Sequence, residues 1–151
     1  MRVKTISLIK GLLACLLLLS FVRVLHAADD TRFTLKDGVI NDSDLGLQWA
    51  PTPDRAMNHP EAEKYALNLS LADGGWRLPT RAELRSLYDA SKPGGADPKF
   101  NVGEYWVWTS ELDGQSGAWD CDFLVDRGGR CRRDDSYANG TVRVLAVRSR
   151  R

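Results

Sequence analysis

Gly75-Trp76-Arg77-Leu78-Pro79-Thr80-Arg81-Ala82-Glu83-Leu84 runs from an extended segment into a helix within a single short stretch. Trp76 and Leu78 alternate with Arg77, so in extended chain both apolar side chains point one way and the guanidinium the other. Pro79 fixes the backbone at the helix entry. Thr80 supplies a capping hydroxyl, and Glu83, three residues on, completes a capping box. Leu84, Leu87 and Tyr88 then form the apolar stripe of that helix. A buried Trp76 contributes several kcal/mol by area, more than any single polar contact nearby. Arg77 has the chemistry to bind an anion, but a structural ion pair is the expectation. Trp76, Arg77, Leu78, Pro79, Thr80 and Glu83 therefore read as a structural motif.

Upstream, Asn58 caps another helix, with Pro60 in its first turn and Glu61 three after the cap. Ala62, Tyr65, Ala66 and Leu69 fall on one face at helical spacing, and Gly74-Gly75 ends the element. Before it, Arg32 to Leu35, Asp37-Gly38 and Val39-Ile40 predict a hairpin with a tight turn. Asn41 to Asp44 reads as a polar loop, in which Asp42 and Asp44 are ordinary turn residues and not calcium ligands. Leu45 to Trp49 is a further strand. Downstream, Lys92-Pro93-Gly94-Gly95 closes the second helix. Strands are expected at Tyr105 to Thr109, Ala118 to Val125 and Thr141 to Val147, with Asp126-Arg127-Gly128-Gly129 as a turn. Strands, two helices, then strands make an α+β domain, and not an alternating parallel sheet.

Residues 1–27 read as a signal peptide. Arg2 and Lys4 form a basic n-region, Gly11 to Val22 is almost wholly apolar, and cleavage after Ala27 or Ala28 is the leading reading. An uncleaved membrane helix is the alternative, but the run is about 12 residues where a span needs about 20. Lipidation at Cys15 is a lesser one. Four of the 21 basic residues and none of the 20 acidic ones lie in this segment, so the single domain at residues 28–151 carries 17 against 20, a net charge of −3. A mildly acidic domain has no global attraction for nucleic acid. The tail Arg148-Ser149-Arg150-Arg151 reads as a solvated basic patch. Without Cys15, the even pair Cys121 and Cys131 is a disulfide candidate in an oxidising compartment. His59 is then the only histidine, so no metal site and no cofactor are expected.

The Trp76 to Glu83 motif, together with Leu45 to Trp49, Tyr105 to Ser110 and Val142 to Arg148, resembles the Lcl C-terminal domain family over nearly all of the chain after the export segment. The resemblance implies an exported domain with a fold similar to C-type lectins. Arg77 to Thr80 with Glu83 is also similar to a motif of the formylglycine-generating enzyme group. The chain departs from the family pattern in lacking a cysteine near Tyr65-Ala66 and another near Val144, which leaves the local Cys121–Cys131 bridge. The calcium-dependent sugar motifs of true C-type lectins are absent, and Trp119-Asp120-Cys121-Asp122 is only a loose echo of one.

Three functions follow as expectations. The first is a non-catalytic binding module for a glycan, another polyanion or a surface protein. Its contact residues would be Trp108, Trp119, Arg132, Arg133 and Tyr137, where aromatic faces and paired positive charge lie close in sequence. In a strand Trp106 and Trp108 share a face. Core packing is the competing role for these tryptophans, and at least two of them are expected there. The second is an oxidoreductase of the formylglycine-generating type, which needs redox-active, metal-binding cysteines where an ordinary disulfide suffices. The third is a structural subunit of an envelope assembly. A single histidine and no nucleophile elbow give no hydrolytic triad.

Overall fold

Tight turns and capped helices dictate the order of elements. Asp37 and Gly38 both adopt positive φ (51° and 76°), the conformation of a two-residue hairpin turn. They join β1 (Phe33–Lys36) to β2 (Val39–Asp42), and β3 (Leu47–Ala50) follows after the 43–46 turn. The computed structural model describes residues 32–103, 105–114, 117–134 and 142–150, which belong to one compact unit beginning at Arg32. The proposed export segment lies outside the described residues. Among those described, no helix is long and apolar enough to cross a membrane.

Two helices occupy the middle of the chain. α1 (His59–Asn68) starts at an Asn58 capping box with Glu61, and α2 (Arg81–Ser86) at a Thr80 capping box with Glu83. Each box satisfies two backbone donors that a helix start otherwise leaves open. α2 is shorter than its apolar stripe suggests, since Leu87 is its C-cap and Tyr88 lies beyond it.

The remaining strands are β4 (Val107–Asp113), β5 (Gly117–Cys121), β6 (Cys131–Asp134) and β7 (Ala146–Ser149). They complete two antiparallel sheets, ordered β1-β2-β3-β7 and β4-β5-β6. The architecture is α+β. β4 begins two residues later than the sequence pattern predicts and runs further, through a bulge between Trp108 and Leu112. β5 stops at Cys121, where the chain leaves the ladder towards a 3-10 turn at Val125–Arg127. β6 was not expected, because Cys131-Arg132-Arg133-Asp134 has no apolar alternation. It is held by pairing to β5 and by the Cys121–Cys131 disulfide, whose residues are directly opposed in register.

Two apolar clusters form the core. One gathers Phe33, Ile40, Trp49, Leu84, Leu87, Phe100, Val107, Phe123 and Val147; the other gathers Met57, Ala62, Ala66, Trp76, Leu78, Trp108, Ala118 and Val144. Trp76 and Leu78 thus enter the same cluster, as their alternation with Arg77 requires. Arg77 itself bridges to Val147 through two backbone hydrogen bonds of 3.0 and 2.9 Å, which places the motif beside β7. Gly95 permits another close approach. It sits at φ 72°, and a Cβ there would lie 1.6 Å from the carbonyl oxygen of Phe123.

The C-terminal basic run is not simply solvated. Arg148 is buried; its guanidinium donates to Gln48 Oε1 and to the carbonyls of Ala72 and Gly74, and it lies 4.6 Å from the Trp76 ring centroid. β7 pairs it with Gln48 in register, which turns its side chain inward over Trp76. Asp42 is likewise more than a turn residue. It is fully buried and paired by both oxygens with Arg32 at 2.9 and 2.8 Å. Burial pushes its carboxyl up, but Arg32 and the amides of Leu45 and Asp44 outweigh this and hold it below the usual range.

Candidate functional site: an aromatic and arginine shelf

The Trp76–Thr80 motif is occupied with structure. Trp76 is 2% exposed and its indole N–H donates to the Leu71 carbonyl at 2.7 Å. Arg77 pairs with both oxygens of Glu83, at 2.8 and 2.6 Å. The bond to Glu83 raises the Arg77 pKa, and it offsets the effect of burial so that the Glu83 carboxyl lies below its usual range. Arg77 therefore serves the expected ion pair.

Four of the five sequence-predicted contact residues are described, and these four do not share one face. Trp108 is fully buried; its indole donates to the Met57 carbonyl at 2.9 Å and His59 packs edge-on at 5.3 Å. Its ring lies in the core, in the same apolar cluster as Ala62 and Ala66 of α1. Trp119 is half-buried under the Arg81 guanidinium, 4.1 Å from the ring centroid, and Arg81 in turn pairs with Glu111. Trp119 opposes Arg133 in register, and Asp120 opposes Arg132. Neighbouring residues of a strand face opposite ways, so Arg132 and Arg133 serve different faces of the sheet. Both are already matched with acids: Arg133 with Asp113 at 2.7 Å, Arg132 with Asp120. Tyr137 lies outside the described residues.

Ahead of β4 stand two consecutive aromatic residues, each with an arginine over its ring, here called the shelf. Tyr105 is 46% exposed, and the Arg143 guanidinium lies 3.7 Å from its ring centroid. The next residue, Trp106, is half-buried against the core, with the Arg132 guanidinium 3.8 Å from its ring centroid. Arg143 is buried and anchored by Asp54 Oδ1 at 3.0 Å and the Pro53 carbonyl at 3.2 Å. Backbone bonds from Arg143 N to the Trp106 carbonyl and from Trp108 N to the Arg143 carbonyl, 2.8 and 3.0 Å, fix the two segments side by side.

Beneath the shelf lies Asp120, fully buried, accepting from Arg132 Nε at 3.1 Å and Nη2 at 3.3 Å. Burial pushes its carboxyl up to about 6, against the lowering effect of Arg132. Asp122, two residues on, is also raised by burial; one of its oxygens accepts from Arg130 N at 3.2 Å, while the nearest cation to the other is Arg127 at 3.7 Å. Among the described residues no group of three or more His, Cys, Asp or Glu side chains is placed to hold a metal ion. Tyr105, Arg143 and Asp120 escaped the sequence reading. The adjacent rings Tyr105-Trp106, and a lone arginine inside the apolar run Val142 to Val147, were the signals available.

A family model for the Lcl C-terminal domain matches residues 38–148, from the first hairpin turn to the middle of β7. The chain belongs to the Lcl C-terminal domain family. No curated protein and no solved structure matches it. In this Lcl C-terminal domain the matched span contains the whole shelf, the Trp76–Thr80 motif and the disulfide.

Proposed function

We propose that this Lcl C-terminal domain is an exported, non-catalytic recognition module of C-type-lectin-like build, and that it holds a glycan against the Tyr105–Trp106 shelf. The observation that carries the reading is that two consecutive aromatic residues, Tyr105 and Trp106, each have a guanidinium over the ring. Aromatic faces pack on the apolar faces of sugar rings. The exposed Arg132 guanidinium donates to hydroxyls, and Asp54, whose side chain is 95% exposed, accepts from them, while the buried Arg143 holds the Tyr105 ring. Rings already fixed in place cost little entropy on binding. Arg132 and Arg143 are each balanced by a carboxylate, which favours hydroxyl recognition over capture of a polyanion.

Export is supported by the basic and apolar N-terminal pattern and by the disulfide, which suits an oxidising compartment. Cys121 is 2% exposed and joined to Cys131 within the sheet, an arrangement that favours a staple over a redox centre. N-terminal sequencing of exported material should begin at Ala28 or Asp29. The binding test is a glycan array with the purified domain, followed by titration calorimetry of wild type and Tyr105→Ala. The variant should lose at least about tenfold in affinity, or 1.4 kcal/mol, with an unchanged unfolding midpoint. Absence of binding to every glycan, alongside capture of an envelope protein, would replace the ligand with a protein partner.

A further inference from the structure

We propose that Asp120 and Arg132 form an acid-operated latch beneath the Trp106 ring. Uptake of one solvent proton on an Asp120 carboxylate oxygen ends the bidentate pair and frees the guanidinium from its seat. The latch concerns the same surface as the proposed function, yet it is testable without any ligand.

Three observations carry it. First, the Asp120 carboxylate is fully buried, whereas the Arg132 side chain that covers it is 49% exposed. A buried charge stays ionised only while its partner stays in place. Second, the same guanidinium lies 3.8 Å from the centroid of the half-buried Trp106 ring, so its position is linked to the shelf. Third, a second acceptor is at hand: Asp134 Oδ2 stands 3.8 Å from Arg132 Nη2. Once Asp120 is neutral, Asp134 becomes the stronger attraction, and the guanidinium moves off Trp106 towards it. The Asp120–Arg132 pair then carries a net positive charge in place of none.

The other charged or titratable groups near Asp120 are committed elsewhere. On the β4 side, Trp108 is its register partner, and behind Trp108 the His59 ring is bonded to the Thr109 carbonyl at 2.8 Å. Arg143 is paired with Asp54, and Asp122 faces Arg127 and the Arg130 amide. The buried carboxyl protonates near pH 6, so mild acid suffices to open the latch. Protonation removes one negative charge from the Asp120–Arg132–Asp134 group and leaves Arg132 matched by Asp134 alone.

The test is an NMR titration of the whole domain, following the Asp120 carboxyl carbon and the Arg132 Nε–H resonance together. Both should titrate with one midpoint near 6, and in Asp120→Asn the Arg132 resonance should lose its pH dependence while keeping the low-pH position of wild type. An Asp120 carboxyl that titrates at the ordinary aspartate value of about 4 overturns the proposal. So does an Arg132 resonance that stays fixed while Asp120 takes up its proton. Should Asp120→Asn fail to fold, the two wild-type midpoints decide the matter alone. Failure of any glycan to bind would leave this titration untouched, which separates the latch from the proposed function.

Discussion

Replacing Trp76 by alanine removes an indole that is 2% exposed and packed with Leu78, Trp108 and the alanines of α1. A tryptophan buries roughly 200 Å², and at about 25 cal/mol per Å² the transfer loss alone approaches 5 kcal/mol. The bond to the Leu71 carbonyl adds about 1 kcal/mol, little more, because Leu71 is only half-buried and water replaces the indole. The Arg77–Val147 bridge holds the backbone in place, so the neighbours close the cavity only in part. Area counted from an extended chain is an upper bound and alanine keeps part of the burial, so the expected loss is about 4–5 kcal/mol, within the usual range for deleting a buried aromatic. Equilibrium urea unfolding with the disulfide intact measures it, and Trp76→Phe should fall between wild type and alanine. A loss below about 1.5 kcal/mol would refute the core role. A stable Trp76→Ala protein that no longer bound ligand would make the motif a site.

Thr80→Ala should cost about 1 kcal/mol through loss of the bond to the Glu83 amide, read from the same unfolding curves. Replacing both Cys121 and Cys131 by serine should cost about 2–3 kcal/mol in the chain-entropy model, and free thiols alkylating in native wild type would contradict the bridge. Arg132→Ala should destabilise in a pH-dependent way. The Asp120 pKa is already raised in the fold, so its ionisation opposes folding, and stability from this group falls as pH rises from about 4 through 6 and then levels. Without Arg132 the pKa rises further, so the penalty should reach about 3 kcal/mol at pH 8 and shrink to about 1 kcal/mol at pH 5. An equal penalty at both values would show that the pair does not hold Asp120. Gly95→Ala should lower the unfolding midpoint sharply, since its Cβ meets the Phe123 carbonyl.

The local chemistry of this chain was legible because it lies in short-range patterns. Asn58 and Thr80 start both helices, Asp37-Gly38 turns the hairpin, and Arg77 finds Glu83 six residues on. Longer-range facts were not. Period two tells that Trp106 and Trp108 point the same way, but not that α1 covers Trp108 while Trp106 stays half-exposed. β6 has no apolar signature, as an edge strand of two arginines and an aspartate held by a disulfide need not. Arg132 and Arg133 looked like paired positive charge. Their partners, Asp120 and Asp113, lie 12 and 20 residues away and meet them only through strand pairing. The same cross-strand geometry brings Arg132 to the Trp106 ring, a pairing that sequence spacing does not show.

The claim that the Tyr105–Trp106 shelf holds a glycan is met most directly by chemical-shift mapping. The isotope-labelled domain is titrated with neutral oligosaccharides at fixed pH 7.5, above the Asp120 transition. The largest shifts should fall on the Tyr105 amide, the Trp106 indole N–H and the side-chain Nε–H of Arg132. The Trp76 and Trp108 indoles, both donating to carbonyls in the core, should stay still. Shifts centred on Trp76 to Thr80 or on Trp119, or a spectrum that no oligosaccharide perturbs, would contradict the assignment of the shelf as a glycan site.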